Sequence, residues 1–390
     1  MYNFVTIYGK IGVYLSDITV ILLGAGSATR FRSDKTTHYP KKQWLYSGNQ
    51  PLWLHVAKEF EALGFDDIVV VAAQEELEYM QSFATYRFVE GGATRQASLT
   101  HALKNIESDY VLVSDTARCC IDRAMIERIM YAKGDCVVPV LNAVDTLYYD
   151  AKPLDRERVK MIQTPQKSNT QRLKEALAQG RDFSDESSAI ASMGGEVVFV
   201  EGSPLAHKLT RISDLSQLPC LSVPTPTQFV GFGVDIHPFE AGKTMKLCGV
   251  TIDSVDFGFQ AHSDGDVAIH ALIDALLGAC GMGDIGMLYP DSDNQYANID
   301  STILLVDTVA KIRSVGFAII NVDMTIMAQT PRLLSYKEAM KQRLSQLLEI
   351  EKRYVNIKAT TAEKLGFVGR KEGVMVQAVA NLHYFDWSKV

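Results

Sequence analysis

Between Ile18 and about Thr210, short β-branched runs alternate with amphipathic helical patterns, and this alternation constrains the fold more than any other feature. ITVILLG is followed by PLWLHVAKEFEALG, DIVVVAA by EELEYMQSFA, YRFVEGG by TRQASLTHALKNI, and YVLVSD comes next. Alternation of strands with helices predicts an α/β unit on a mostly parallel, Rossmann-like sheet. In such sheets ligands bind beyond the carboxyl ends of the strands. Polar clusters follow ITVILL and YVLVS at those ends.

The stretch LSQLPCLSVPTPTQFVGFG carries Pro219, Pro224 and Pro226 and neither a helical nor a strand period, which marks a linker. Beyond it the order changes. A strand (FVGFGVDIH) and a short strand (MKLCGV) precede a helix opening at HSDGD and a second helix from Ser301 to Val315. A strand near INVDMTIMAQ, a helix from about Leu333 to Leu348, and strands near VNIKAT and VMVQAVANL follow. The 390 residues therefore divide into an extension (1–17), an α/β domain (18–218), a linker (219–228) and a smaller α+β domain (229–390).

The net charge of −7 gives no general attraction to nucleic acid, so an anionic ligand must be met by local basic groups. No segment approaches the ~18 uninterrupted apolar residues of a spanning helix. The N-terminus lacks the basic start and cleavage site of a secretory signal. The six cysteines form no CxxC pair and no disulfide-like spacing, a pattern suited to a reducing cytoplasm. Small-molecule substrates, no nucleic acid and no membrane are the expectation.

LLGAGSATRF is a turn of small residues after a buried strand. Thr29 stands where a dinucleotide fingerprint has its third glycine, which argues against a nicotinamide site. The turn runs instead into Arg30 and then Lys35, Lys41 and Lys42. Backbone N–H groups can surround phosphate oxygens while Arg and Lys neutralise charge on a transferring phosphorus. GAGSATRF, PKKQWL, EGGATRQAS, VSDTAR, VDT, QTPQ, the SDESSA run and HKLT, in this order, resemble 2-C-methyl-D-erythritol 4-phosphate cytidylyltransferase over residues 18 to 218. The resemblance implies that Arg30 and Lys42 stabilise the transition state at the α-phosphate of CTP, and that Arg156 and Lys208 position the methylerythritol phosphate. It also implies Asp115 as the acid associated with Mg2+ or Mn2+, and Ala25, Gly26, Gly92, Arg95 and Ser98 as cytidine-site positions. The family's PKQ reads here Pro40-Lys41-Lys42-Gln43, so Lys41 competes with Lys42; Lys42 is preferred because it directly precedes Gln43. Ala28 and Ser114 replace a usual glycine and a frequent histidine.

In GVDIHPF, Asp235 and His237 lie two apart, and strand alternation points both to one face. His270 lies on the helix that HSDGD opens. Two imidazoles and a carboxylate make a three-ligand zinc set with an open fourth position, the catalytic arrangement. Ser263, Asp264 and Asp266 also suit a helix N-terminus, and either Asp264 or Asp266 orients His270. With GDIG, YPDSD and KATTAEKLGFVGRKEG, these motifs resemble 2-C-methyl-D-erythritol 2,4-cyclodiphosphate synthase over about residues 229 to 386.

That resemblance implies Asp235, His237 and His270 as zinc ligands, His262 and Thr361 as transition-state stabilisers, and Glu363 as ligand of a second divalent ion. It implies substrate contacts at Ile236, Ser263, Asp284, Ile285, Gly286, Tyr289, Asp291, Asp293, Thr360, Ala362, Phe367 and Arg370, and a cytosine-binding loop at 328–334. Arg332, Met287 and Ala362 depart from the family's usual residues. The first domain is thus expected to join CTP and methylerythritol phosphate, releasing diphosphate. The second is expected to cyclise the 2-phosphorylated product, releasing CMP, with a separate kinase acting between. Both reactions depend on charge stabilisation and alignment rather than a covalent nucleophile. The competing expectations are a transferase fused to a zinc phosphohydrolase, which releases a linear product, and a zinc scaffold that only oligomerises. The resemblances further imply dimeric transferase and trimeric cyclase contacts, with sites at subunit interfaces.

Overall fold

The structure is a computed structural model that describes residues 15–27, 31 and 39–390. Most of the 1–17 extension, Ala28, Thr29, Arg30 and Lys35 lie outside the described residues. The chain divides into two compact units between Val223 and Pro224.

The first unit is built on strands β1 (Ile18–Leu23), β2 (Ile68–Ala72), β3 (Arg87–Glu90), β4 (Tyr110–Asp115), β5 (Cys136–Asn142), β6 (Lys160–Ile162), β7 (Gln166–Asn169) and β8 (Val197–Glu201). Across the sheet the order is β3-β2-β1-β4-β7-β5, with β6 beside β5 on the β7 side and β8 on its other edge. Strands β1 to β4 are mutually parallel and β8 is parallel to β5. β6 and β7 run antiparallel to their neighbours, so the sheet is mixed rather than simply parallel. The reason lies in the connection. A helical crossover returns the chain parallel, whereas residues 143–159 return it through a hairpin of Leu147–Tyr149 with Lys152–Leu154.

Ile21 packs with Leu99, Leu103, Val111, Val113 and Leu173, while Ile18, Val20 and Leu22 of the same strand are also fully buried, so both faces of the sheet are covered. Leu23 pairs with Asp115 and with Val71, and Ala72 pairs with Glu90. The carboxyl ends of β1 to β4 therefore lie along one edge, and helix α3 (Arg95–Leu103) begins beside it.

The second unit holds β9 (Gln228–Ala241), β10 (Phe257–Phe259), β11 (Phe317–Met327), β12 (Val355–Thr360) and β13 (Gly373–Tyr384) in the order β10-β9-β13-β11-β12. Only β11 and β12 pair in parallel. Helix α7 (Val267–Cys280) is apolar nearly all round and lies on β9 and β13. It sits close because a Cβ on Gly231 would meet Ala275 O at 1.9 Å and one on Gly233 would meet Ala271 O at 2.1 Å. The opposite face of β9 leaves Val230, Phe232, Val234 and Ile236 exposed.

Two local expectations change. MKLCGV is a hairpin, Lys246–Leu247 against Val250–Thr251, because Cys248 and Gly249 both adopt positive φ, as a tight two-residue turn requires. The helix expected from Leu333 starts at Lys337, since residues 334–336 form a turn first. Among the described residues no helix is long and apolar enough to cross a membrane.

Candidate active sites

At the carboxyl edge of the first sheet, Ala25, Gly26, Lys42, Gly92, Arg95, Ser98, Asp115 and Lys208 line one cavity of about 410 Å3. The sheet explains the convergence: each residue follows a parallel strand, opens α3, or lies on the segment that returns across β4. α3 presents free N–H groups to the cavity, with Thr94 capping Ala97 N, which favours an anion there. The Gly92 N–H donates to Ser98 Oγ at 3.0 Å, which folds the GGATRQAS loop over the helix start.

Asp115 is bridged by two cations, with Arg95 Nε at 3.3 Å from Oδ1 and Lys208 Nζ at 2.5 Å from Oδ2. Burial alone would raise its carboxyl, but Arg95 and Lys208 hold it below the usual carboxylate range. Arg95 also grips Glu186, whose side chain is fully buried, at 2.6 and 3.3 Å. Burial pushes the Glu186 carboxyl up against the pull of Arg95.

The two adjacent lysines separate clearly. Lys41 is engaged by Glu75 at 2.8 Å and Glu76 at 2.6 Å, whereas Lys42 lines the cavity and donates to Leu209 O at 3.1 Å. Arg156 does not join the others. It lies on an exposed 3-10 turn, donating to Val144 O, on the excursion beyond the hairpin, and it is absent from the cavity wall.

In the second unit, Asp235, His237, His262, Ser263, His270, Ile285, Gly286, Tyr289 and Asp291 line a cavity of about 310 Å3. Asp235 Oδ2 lies 3.1 Å from His237 Nε2 and 3.2 Å from His270 Nδ1, and it is buried without a well-directed hydrogen bond. The far nitrogens fix the tautomers. His237 Nδ1 faces Gly265 O at 3.1 Å, which only accepts, so the proton sits there. His270 Nε2 lies 3.0 Å from Ser301 Oγ, whose own proton goes to Asp264 Oδ1 at 2.5 Å. Ser263 Oγ also lies 3.2 Å from this nitrogen, and a proton on Nε2 is the arrangement Ser301 favours; it leaves His237 Nε2 and His270 Nδ1 as the bare nitrogens converging on Asp235. Two lone pairs and a carboxylate pointing at one volume fit a divalent cation. Without one, burial lowers His237 but Asp235 raises it further, and the two histidines hold Asp235 well below the usual range against its burial.

The choice between Asp264 and Asp266 is settled by geometry. Asp266 is wholly buried as the cap of α7, accepting from Ile269, Cys248 and Gly249 N–H groups. Asp264, held by Lys246 at 3.0 Å, is the one that reaches His270 through Ser301.

Other expected positions lie elsewhere. Ile236 points to the opposite face of β9, because alternation turns it away from its two neighbours. Asp284 caps a short helix (Ile285–Leu288) and Asp293 caps the 3-10 turn at Asn294, and neither lines the cavity. Thr360 ends β12, and Thr361, Ala362, Glu363, Phe367 and Arg370 follow it on a segment away from the cavity wall, with Thr361 Oγ1 donating to Glu363 Oε1 at 2.9 Å. The 328–334 loop is tied to this segment, Ala328 N to Thr360 O at 3.0 Å and Lys364 N to Gln329 Oε1 at 3.3 Å.

Three contributors were missed by sequence reasoning. Asp274 lines the second cavity and accepts from Ile285 N at 2.8 Å; as the only charge in ALIDALLGAC, one turn after His270, it carried a readable signal. Glu186 and Ser301 carried none, because their partners are 91 and 31 residues away.

Comparison with known proteins assigns both halves. Residues 18–219 match the family model of 2-C-methyl-D-erythritol 4-phosphate cytidylyltransferase, and residues 228–383 match that of the YgbB family. A relative from Sulfurovum sp., "Bifunctional enzyme IspD/IspF", is 63% identical over 96% of this chain and 100% of its own. One of the same name from Sulfurimonas denitrificans is 53% identical over 100% of both. The solved structure of the bifunctional IspDF from Campylobacter jejuni is 45% identical, covers 95% of this chain and 99% of that chain, and superimposes with a TM-score of 0.88. The chain belongs to the bifunctional IspD/IspF family of isoprenoid biosynthesis, joining a cytidylyltransferase to a cyclodiphosphate synthase.

Proposed function

We propose the following division of labour among the residues of the two sites. In the first, α3's N-terminus and the Gly24–Ser27 turn receive the CTP phosphates, and Lys42 and Arg95 bear the charge that develops at the α-phosphorus. Lys208 turns from Asp115 to the phosphate of methylerythritol phosphate, whose oxygen attacks in line and expels diphosphate. Arg30 shares the charge stabilisation by resemblance alone. Asp115 is the carboxylate that would stand beside Mg2+ or Mn2+ bound with the triphosphate, an ion that would offset phosphate charge. Lys208 covers Asp115 Oδ2 until it turns to the substrate phosphate, while Arg95 keeps Oδ1, and no step is assigned to that ion.

In the second site, Asp235, His237 and His270 hold Zn2+ or a similar ion, which supplies polarisation of the β-phosphate. His262 and Ser263 at the cavity wall orient the diphosphate, and the 2-phosphate attacks the β-phosphorus as CMP leaves. The convergence of two bare imidazole nitrogens on Asp235 carries this reading. Glu363 belongs to no group of three or more convergent ligating side chains among the described residues, and it would hold a second divalent ion by resemblance alone.

Oligomerisation completes both sites. Arg156 sits on an arm with exposed Tyr148, Tyr149, Leu154 and Met161, an apolar surface suited to crossing onto a second transferase unit. The exposed Val230, Phe232, Val234 and Ile236 suit a cyclase trimer, which brings the 360–370 segment of one copy to the cation side of the next. A cytoplasmic location is part of the same proposal.

The test supplies CTP and methylerythritol phosphate, and separately the phosphorylated diphosphocytidyl intermediate, to the full chain. His270→Ala should abolish CMP release and leave diphosphate release intact. CMP release unchanged in that variant, or a fully active monomer in solution, refutes the assignment.

A further inference from the structure

Cys119, Cys120 and Cys220 come together outside both sites, with their sulfurs all within 4.8 Å of one another. Cys120 and Cys220 are joined by a disulfide across a sequence separation of 100, and Cys119 Sγ lies 3.8 Å from Cys220 Sγ. The expectation of unpaired thiols is corrected here. No local spacing announces this pair, because the fold of β4 and the return of the chain after β8 bring the two segments together.

The bond lies where it acts on a site. Segment 115–120 carries Asp115, and segment 206–220 carries Lys208. The two run side by side: Lys208 meets Asp115, Leu209 N–H donates to Ala117 O at 2.8 Å, and Arg118 Nη1 donates to Ala206 O at 2.5 Å. The disulfide fastens their far ends. Cys119 and Cys120 are buried, at 0% and 4% exposure, and Cys220 is half-buried next to exposed Pro219. Cys220 is therefore the sulfur an external reagent reaches.

We propose that this cluster is a thiol–disulfide exchange site, taking low-molecular-weight disulfides of the glutathione class, and that its redox state tunes the cytidylyltransferase without touching the cyclase. The Cys220 thiolate attacks one sulfur of the small disulfide, forming a mixed disulfide and releasing one small thiol. The Cys120 thiolate then attacks Cys220 Sγ and expels the second small thiol. The two protein thiol protons end on the two released thiols, and two electrons pass to the reagent. Burial pushes the Cys119 thiol up to about 12, and Cys119 Sγ stands 3.8 Å from Cys220 Sγ, outside the bond. It is a reserve partner for Cys220.

Closing a loop of this length restricts the unfolded chain strongly, so oxidation should raise the transferase melting temperature by on the order of 10 °C. By holding Lys208 in the wall of the cavity, it should lower KM for methylerythritol phosphate by at least about 3-fold, an order-of-magnitude expectation for one constrained segment.

The experiment equilibrates the full-length protein in mixtures of reduced and oxidised glutathione. It counts free thiols, maps the bond by peptide mass spectrometry, and measures diphosphate and CMP release on the same samples. The expected result is a fall from six free thiols to four, a KM shift in the first activity and none in the second. Cys220→Ser and Cys220→Ala should both abolish the shift, with CMP release as the check on folding. Cys120→Ser should transfer the bond to Cys119. Six free thiols under the most oxidising mixture, equal shifts in both activities, or a shift surviving in both Cys220 variants would each overturn the proposal.

Discussion

Glu186→Gln is the substitution whose effect the first site predicts most sharply. The Glu186 side chain is fully buried and binds Arg95 through two oxygens, while Arg95 retains some exposure and reaches Asp115 with its third nitrogen. Glutamine keeps the shape and one acceptor but removes the charge. Breaking a buried ion pair from one side costs ~3 to 5 kcal/mol. The retained acceptor, the exposure of Arg95 and relief of the burial cost already borne by the Glu186 carboxylate reduce this to about 2 kcal/mol, the size of one hydrogen bond to a charged group. For a unit of about 200 residues that lowers the melting temperature by ~4 to 8 °C. Trp44 and Trp53 are both fully buried in this unit, so tryptophan fluorescence follows its unfolding. Arg95 also loses the anchor that aims it, and KM for CTP should rise about 10-fold, the equivalent of 1.4 kcal/mol, with CMP release unchanged. Glu186→Leu combined with Arg95→Met should recover much of the stability but none of the CTP affinity, since an apolar pair can replace a buried ionic one. A Glu186→Gln protein with unchanged KM, or a double variant less stable than Glu186→Gln, would refute this account.

Ser301→Ala removes the nearer of the two hydroxyls on His270 Nε2 and its link to Asp264, so the affinity of the proposed cation site for a divalent ion should fall by ~10-fold, read by competition with a chromogenic chelator. Gly233→Ala should cost about 3 kcal/mol or more and lower CMP release, because its Cβ meets the Ala271 carbonyl rather than a movable side chain; the folded yield of the cyclase unit checks it. Burial brings the Lys167 ammonium down to about 8, although Met130 O and Ala132 O accept from it. Its folded value is below the unfolded one of ~10.4, so the unfolded chain binds more protons between those values and stability rises with pH across that window. The gain should reach about 2 kcal/mol and disappear in Lys167→Met, as shown by denaturation midpoints from pH 7.5 to 10.

Sequence patterning made the two units readable, and it made the first cavity readable because parallel strands deliver their following loops to one edge whatever the loops contain. The convergence of Asp235, His237 and His270 was readable for another reason: two members share a strand face and the third lies in the first turn of a helix. The partners that give these residues their chemistry were not. Glu186 and Arg95, Ser301 and His270, and Cys220 and Cys120 are far apart in sequence and are brought together only by the tertiary fold. Arg156 and Glu363 show a different limit. Their motifs match, yet a single chain does not bring them to the cavities.

The contact of α7 with Gly231 and Gly233 bears on how this protein tolerates change. Two of the three convergent donors ride on the strand and the third on the helix, and main chain touches main chain between them. No side chain acts as a spacer at that seam. The donor triangle thus takes its dimensions from main chain, and the seam itself admits almost no substitution.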